Sequence, residues 1–367
     1  MALLRGVLTK SSPIYVQFAV SKFCNLQCRM CEAAQARKDE RELSLPEIKK
    51  LAGLLNKLKA GIIILTGGEP LLREDLAEIV DIFTQRGLQV RLQTNGVLLT
   101  QEKMRQLLRA GLRELTLSLD TLDPQKQDRI NNYRGSWEKI ISALAVCSKV
   151  LPRRGNMTGV NTVVSKLNIQ EIPSIVKFVT GIGFYSSLIP VHLNCDTQNR
   201  FIVRADAPEF KFNADDAGII DKIYEELIQM KKNNYHIHNS FRFLKESPNF
   251  LKYGKVNWPC DSPYLYFSIS PGGHFLPCVD MPGTKSMLDD DFLGTFYSKS
   301  FQNAIRESVE KCPGCFYACY PEISYFCRDF RTMVERFWQW LRIASFIRQP
   351  VSYQELHRLI EKIKMDN

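Results

Sequence analysis

The sequence predicts an α/β fold built on a parallel sheet, from two features of its first half and one of its second. Between residues 14 and 191, six short apolar runs alternate with amphipathic stretches of helical period, the pattern of βα units joined by right-handed crossovers. Several of those stretches end in glycine (Gly87, Gly111, Gly183), a common helix stop. Beyond residue 256 the alternation gives way to a cysteine-rich segment punctuated by proline and glycine. The alternation alone allows a doubly wound sheet, a full barrel or a partial barrel.

The strands are expected at residues 14–20 (IYVQFAV), 61–66 (GIIILT), 88–94 (LQVRLQT), 112–119 (LRELTLSL), 157–164 (MTGVNTVV) and 184–191 (FYSSLIPV). Between them, LPEIKKLAGLLNKL, DLAEIVDIFTQRG, QEKMRQLLRAG, WEKIISALAVCSKV and IQEIPSIVKFVTGIG carry apolar residues at helical spacing. Residues 192–255 contain one clear helix, DDAGIIDKIYEELIQMKKNN, between flanks that read as loops. Residues 256–328 read as a compact, loop-rich module with a hairpin turning at Gly272 and Gly273, and residues 329–367 as two helices parted near Pro350. The expected units are therefore 1–191, 192–255, 256–328 and 329–367.

Composition is that of a globular chain: 367 residues, 45% hydrophobic and 24% charged, which excludes disorder. A net charge of +10 permits anionic partners without selecting one, and no motif points to nucleic acid. The N-terminus lacks the apolar stretch and cleavage site of a signal peptide, and no run of apolar residues is long enough to span a bilayer. Nine of the eleven cysteines fall in two clusters. Metal-bound thiolates in a reducing, cytoplasmic compartment fit that usage better than disulfides.

In parallel sheets, ligands gather at the C-terminal ends of the strands. Cys24-x3-Cys28-x2-Cys31 follows the first strand, Gly67-Gly68-Glu69-Pro70 the second and Thr94-Asn95 the third, while Ser118 and Asp120 lie at the end of the fourth. These segments should converge on one rim. Three thiolates on one loop can hold three irons of a [4Fe–4S] cluster and leave the fourth open. A structural zinc loop borrowing a distant fourth ligand is the alternative. The paired glycines let backbone approach a ligand closely, and Glu69 could accept from an ammonium group.

Through the C-x3-C-x2-C loop, GGEP and their places on successive strands, residues 14–190 resemble the radical S-adenosylmethionine (radical SAM) superfamily. The resemblance implies a partial (β/α)6 TIM-like barrel. It implies a [4Fe–4S] cluster on Cys24, Cys28 and Cys31, with S-adenosylmethionine chelated by the open iron. Reductive cleavage of the sulfonium would yield a 5′-deoxyadenosyl radical that abstracts hydrogen from substrate, fed by an external electron donor such as flavodoxin or ferredoxin. By the same likeness Gly67, Gly68, Glu69 and Pro70 hold the cofactor, and Ser118, Asp120 and Arg129 contact its ribose and carboxylate. Thr94, Asn95 and Asn161 are further candidates. Many members carry an aromatic residue before the third cysteine; here it is Met30, whose thioether still offers apolar surface to an adenine.

The second cluster, Cys260, Cys278, Cys312, Cys315, Cys319 and Cys327, resembles the auxiliary-cluster modules called SPASM and twitch, through Gly273-x4-Cys278 and Cys312-x2-Cys315. The later spacing departs from the seven-cysteine SPASM arrangement. The expectation is one auxiliary [4Fe–4S] cluster on Cys260, Cys278, Cys312 and Cys315. Cys319 and Cys327 are then spare, or ligands of a second, incomplete cluster; a zinc ribbon is the rival reading. Asp280 lies where a base could reach substrate, although an Asp before MPG also forms turns. Cys147 and Cys195 read as isolated structural thiols.

Modules of this kind often accompany peptide or protein modification, so a peptide is the expected substrate, with a carbohydrate or a membrane lipid as the alternative. A non-catalytic iron–sulfur protein would predict damage to the rim, whereas GGEP is intact; a zinc-binding module would predict zinc in place of iron on anaerobic purification. Finally, residues 330–348 combine a wide apolar face with arginines, the composition of an interfacial helix. Such a helix would place the protein peripherally at the inner face of a membrane. The competing expectation is that it packs across the open barrel or its module.

Overall fold

The computed structural model describes residues 12–36, 38–155, 157–194 and 203–366. Eight strands form one sheet in the order β6-β5-β4-β3-β2-β1-β7-β8. The six expected strands are present: β1 (Tyr15–Ser21), β2 (Ile62–Gly67), β3 (Gln89–Thr94), β4 (Glu114–Ser118), β5 (Met157–Val164) and β6 (Tyr185–Pro190). All pair in parallel, each with its sequence neighbour, beginning with Tyr15 opposite Ile62. The sheet does not close on itself, which makes it a partial barrel.

The crossovers are α1 (Leu45–Lys57), α2 (Leu76–Gln85), α3 (Gln101–Arg109), α4 (Pro124–Asn131), α5 (Ser136–Val150) and α6 (Ile172–Gly181). All but α4 bury the stripe that their spacing defines; in α1 that stripe is Ile48, Leu51, Ala52 and Leu55. Against it lie the strand residues Val16, Phe18, Ile63 and Leu65 in one continuous core. Each fully buried Leu or Phe of this layer contributes about 1.5–3 kcal/mol of transfer free energy.

Helix α4 escapes the periodicity reading because PQKQDRIN is nearly all polar. It forms because Pro124 fits the first turn and the Asp123 side chain accepts the Lys126 N–H. Helix α7 (Ala217–Lys232) matches expectation, but α8 (Phe241–Tyr253) replaces an expected loop. Ser240 caps it, and burial of Phe243 and Leu244 outweighs the proline at 248 inside it. The cysteine module is also more helical than its punctuation suggests, with α9 (Phe292–Tyr297), α10 (Lys299–Glu310) and α11 (Cys319–Arg328).

The module's hairpin is where the sequence placed it. Its strands β7 (Tyr266–Ile269) and β8 (Phe275–Leu276) are antiparallel to each other. What the sequence did not reveal is that β7 pairs in parallel with β1, Tyr266 opposite Tyr15, so the hairpin continues the barrel sheet. Phe316 of the module stacks on Phe243 and Phe250 of α8, and Ile189 of β6 packs beside them. The module thus extends the sheet beyond β1 and also packs beside β6 at the sheet's other end.

The tail holds the two expected helices, α12 (Phe330–Ser345) and α13 (Tyr353–Met365). Helix α13 packs on α5 and α6 through Leu356, Ile360 and Ile363. Helix α12 crosses the N-terminal end of β6: Gln339 donates to the Ile237 carbonyl (3.1 Å), and Ile237 bridges Ser186. Among the described residues no helix is long and apolar enough to cross a membrane.

Candidate active site at the C-terminal rim

Strand β1 ends at Ser21, and the chain then crosses the C-terminal rim carrying Cys24, Cys28 and Cys31. Backbone holds this loop in place. The Gly68 N–H donates to Ser21 O (2.8 Å) and the Glu69 N–H to Phe23 O (2.7 Å). Only glycine permits the approach. A Cβ on Gly68 would lie 2.0 Å from Phe23 O, and one on Gly67, at φ +134°, 2.2 Å from Ser21 O. The sequence reading gave the smallness of these glycines to a ligand; in the structure it serves the cysteine loop first.

Glu69 is buried and fixed by three donors. Thr94 Oγ1 (2.6 Å) and the Leu71 N–H (2.9 Å) donate to Oε1, and the Asn95 N–H (2.8 Å) donates to Oε2. Burial raises its carboxyl pKa, and the three donors oppose the rise. Pro70 opens the short helical turn that presents Leu71 to it. The Asn95 side-chain amide donates to Asn25 Oδ1 (2.9 Å) and reaches Cys24 Sγ (3.8 Å), tying the third strand end to the thiol loop.

The far side of the loop rests on the end of α4. Gln27 and Arg29 N–H groups donate to the Asn131 and Ile130 carbonyls (3.3 and 3.0 Å), and Cys28 Sγ lies 3.5 Å from Asn131 Oδ1. Cys31 N–H donates to Cys28 O (3.0 Å), and Cys31 forms a β-bridge with Arg204. Burial pushes the Cys28 thiol well above its usual range, and the neighbouring charges of Cys31, Asp120 and Cys24 push the same way. A cationic metal centre reverses that preference and binds the thiolate.

Ser118 and Asn161 face each other across β4 and β5. Asp120, just past β4, is buried; its carboxylate accepts the Val163 N–H (2.8 Å), and its own N–H donates to Gln127 Oε1 (2.8 Å). Burial lifts its carboxyl to about 6. Met30 packs into a small apolar cluster with Ile130, Val191 and Phe210. Arg129 is exposed on α4.

In the module, Cys260 precedes β7, Cys278 follows β8, and Cys312 and Cys315 lie between α10 and α11. Burial raises the Cys278 and Cys315 thiols well above their usual range, and charge on Cys260 adds to both. The four thiols are thus electrostatic neighbours. Cys319 packs against the same Tyr266–Tyr320 cluster as Cys260, Cys278 and Cys315 and also hydrogen-bonds Tyr15; burial pushes it up to about 12. Cys327 packs with Cys260 and Cys319 around Tyr266 and Tyr320. Cys147 is buried in the core, as expected, and Cys195 lies outside the described residues. Among the described residues no three His, Cys, Asp or Glu side chains converge tightly enough to hold a single metal ion. The all-sulfur donor sets, three on the rim loop and four in the module, suit iron–sulfur clusters.

Asp280, two residues past Cys278, is buried beside the module thiols. Arg204 donates to its Oδ2 through Nε and a terminal nitrogen (3.0 and 2.7 Å), and Tyr317 OH donates to Oδ1 (3.2 Å). His192 stacks on Tyr317 at 3.8 Å and accepts the Phe316 N–H (2.8 Å). Arg204 therefore touches both sites, with its backbone at Cys31 and its guanidinium at Asp280. Arg204, Tyr317, His192 and Asn131 escaped sequence reading. A single arginine in an aperiodic stretch carries no signal until its partner is known.

A family model described as the Radical SAM superfamily matches residues 18–179. An AdoMet-dependent heme synthase from Methanosarcina barkeri is 32% identical over 175 residues, which cover 47% of this chain and 49% of that protein. A probable GTP 3′,8-cyclase from Methanocaldococcus jannaschii is 32% identical over 178 residues, 47% of this chain and 57% of that one. The chain thus spans about half the length of the curated relatives it matches. Among solved structures, Streptococcus suis SuiB bound to the precursor peptide SuiA superposes with a TM-score of 0.63 at 16% identity, covering 81% of this chain and 67% of that one. The protein anSMEcpe, with bound AdoMet and the Cp18Cys peptide, superposes at 0.56 and 15% identity over 97% and 100% of the two chains. At these identities the likeness establishes the fold.

Proposed function

We infer that this chain, which belongs to the radical SAM superfamily through residues 18–179, is an enzyme that abstracts hydrogen from a peptide or protein substrate. The observation that carries the first part is the locking of the three-thiol loop onto GGEP by two backbone hydrogen bonds at contacts only glycine allows. Cys24, Cys28 and Cys31 would hold a [4Fe–4S] cluster, which when bound would supply reductive cleavage of S-adenosylmethionine and hydrogen-abstracting radical chemistry. The chain's own part is placement. Glu69, held by three donors, presents its remaining acceptor capacity to the cofactor's ammonium. Thr94 and Asn95 fix Glu69, Met30 offers apolar surface to the adenine, and Ser118, Asp120, Arg129 and Asn161 are the candidates for ribose and carboxylate.

Cys260, Cys278, Cys312 and Cys315 are assigned to one auxiliary cluster, which could accept an electron during substrate oxidation. Asp280 is its neighbouring base. Arg204 holds it at 2.7 Å, and Tyr317 OH donates to its other oxygen at 3.2 Å. The peptide reading is supported by the reach of the likeness: the anSMEcpe structure with a bound peptide matches almost the whole chain, module included. A cytoplasmic setting with flavodoxin or ferredoxin as reductant suits this chemistry.

The test begins with anaerobic reconstitution, iron and sulfide counting, then reduction in the presence of S-adenosylmethionine. About eight irons per chain and formation of 5′-deoxyadenosine, lost in Cys28→Ala, are expected. Zinc in place of iron, or a loaded and reducible cluster that leaves the cofactor intact, would sink the enzymatic reading. For the substrate, cells grown in deuterated medium are fractionated into peptide, carbohydrate and lipid pools. Deuterium should enter 5′-deoxyadenosine from the peptide pool; entry from either other pool overturns the substrate class alone.

A further inference from the structure

Helix α12 is built inside out. A helix on a soluble protein turns its apolar stripe inward and its polar face to water. Here Thr332 and Gln339 are the buried positions, with Glu335 and Arg336 beside them. They meet fixed polar partners. Arg336 pairs with Glu322 at 2.6 Å, Glu335 with Lys231 at 3.1 Å, and Gln339 with the Ile237 carbonyl. The helix packs against α7 and against α11 of the module, and does so through its polar side.

The other side is left bare. Phe330, Phe337, Trp338 and Trp340 are 55–72% exposed, and Phe346 and Ile347 extend the surface just past the helix. At about 100° per residue, Trp340, Met333, Phe337, Phe330 and Leu341 fall on one continuous outward arc. Trp338 sits at its edge, next to exposed Arg331 and Arg342. Beside this edge opens a cleft of about 1460 Å³ whose rim carries two more exposed cations, Lys232 and Lys245. Its acids are engaged: Glu335 with Lys231, Glu246 with Arg242, and Asp329 with Thr332.

We propose that α12 and the Phe346–Ile347 step seat the protein on an anionic phospholipid surface, with the aromatic face at headgroup depth and the arginines and lysines against the phosphates. Charge selects this occupant. Arg331 and Arg342 lie at the edge of the apolar face and Lys232 and Lys245 line the adjoining cleft, four exposed cations on a chain of net charge +10. The mixture of Trp, Phe and Arg is that of helices that lie in the interface plane, and α12 is too short and too polar on one side to span. The patch lies at the N-terminal end of the strands and the thiol rim at the C-terminal end. Docking therefore holds the protein by its base and leaves the rim facing solution. This placement is independent of what the rim does.

The test is flotation of the full-length protein with phosphatidylcholine vesicles that contain, or lack, roughly one-third phosphatidylglycerol. Co-flotation with the anionic vesicles, reduced at high salt, is expected. Trp338→Ser with Trp340→Ser should weaken it about tenfold or more, and Arg331→Gln with Arg342→Gln should weaken it and flatten its salt dependence. All four side chains are exposed, so the variants should fold, which far-UV circular dichroism checks. Tyr253→Ser, at another exposed aromatic, should leave flotation unchanged. The proposal is overturned if the protein stays in the dense fraction, or if the tryptophan variant floats as well as wild type. It is equally overturned if sedimentation equilibrium shows a vesicle-free dimer that the tryptophan variant dissolves.

Discussion

Gly68 and Asp120 show how much of this protein's chemistry is settled one side chain at a time. Gly68→Ala forces a methyl onto Phe23 O, which is backbone and cannot swing aside. The expected result is a folded protein that loses about four irons from the rim loop while any iron on the proposed module site stays, read by iron analysis beside circular dichroism. Asp120 has a different signature. Its folded carboxyl titrates near 6 against an ordinary value of 3.8, because burial disfavours the charge. Below about pH 4 both wild type and Asp120→Asn are neutral there and should match in stability. Between about pH 4 and 6 the unfolded wild-type chain ionises here while the buried carboxyl still holds its proton, so the wild type loses stability and the difference is complete above 6. The variant should gain an advantage that levels off at about 3 kcal/mol, measured by urea denaturation of the metal-free chain. The cysteines and GGEP were legible because their spacing is their function. Asn131, Arg204 and Tyr317 were not, because each acts only through a partner brought near by the fold.

Helices and strands were readable where they bury one face. The strands alternate or run apolar, and α1, α2, α3, α5 and α6 keep their stripes, so period alone located them. Helix α4 lacks a stripe, α8 contains a proline, and α11 begins at a cysteine, so periodicity failed at all three. Helix α12 was visible as amphipathic, but its orientation was not; the partners of its polar face come from α7, α11 and the loop before α8. That inversion reverses the usual ranking of substitutions. Arg336→Met should cost about 3 kcal/mol, since it strands the buried Glu322 carboxylate, whereas Phe337→Ser on the exposed side should change stability by less than about 0.5 kcal/mol. Chemical denaturation of the two variants checks both numbers. On α11, Cys319→Ser should leave the iron content unchanged, while Cys312→Ala should lower it, separating a thiol that partners Tyr15 from one placed among the four.

At the scale of the molecule, the sequence announced a barrel and a cysteine module but not that one sheet runs through both. Pairing of β7 with β1 is non-local, and nothing in either strand names its partner. A chain ended after Asn194 would leave the edge of β1 from Tyr15 to Phe18 unpaired. It should self-associate at micromolar concentration, as light scattering would report, while the full chain should not. The same pairing has a consequence for the passage of electrons. The rim loop is the continuation of β1, the module's hairpin is its hydrogen-bonded neighbour, and Arg204 clasps the two from above. The separation between the thiol sets is thus set by a ladder of strands about 4.8 Å apart, not by the swing of one body against another. If the module holds the proposed auxiliary cluster, an electron crossing between the two would meet a tunnelling gap of constant width. Its transfer rate should therefore be indifferent to solvent viscosity, where a step gated by domain closure would slow as glycerol is added.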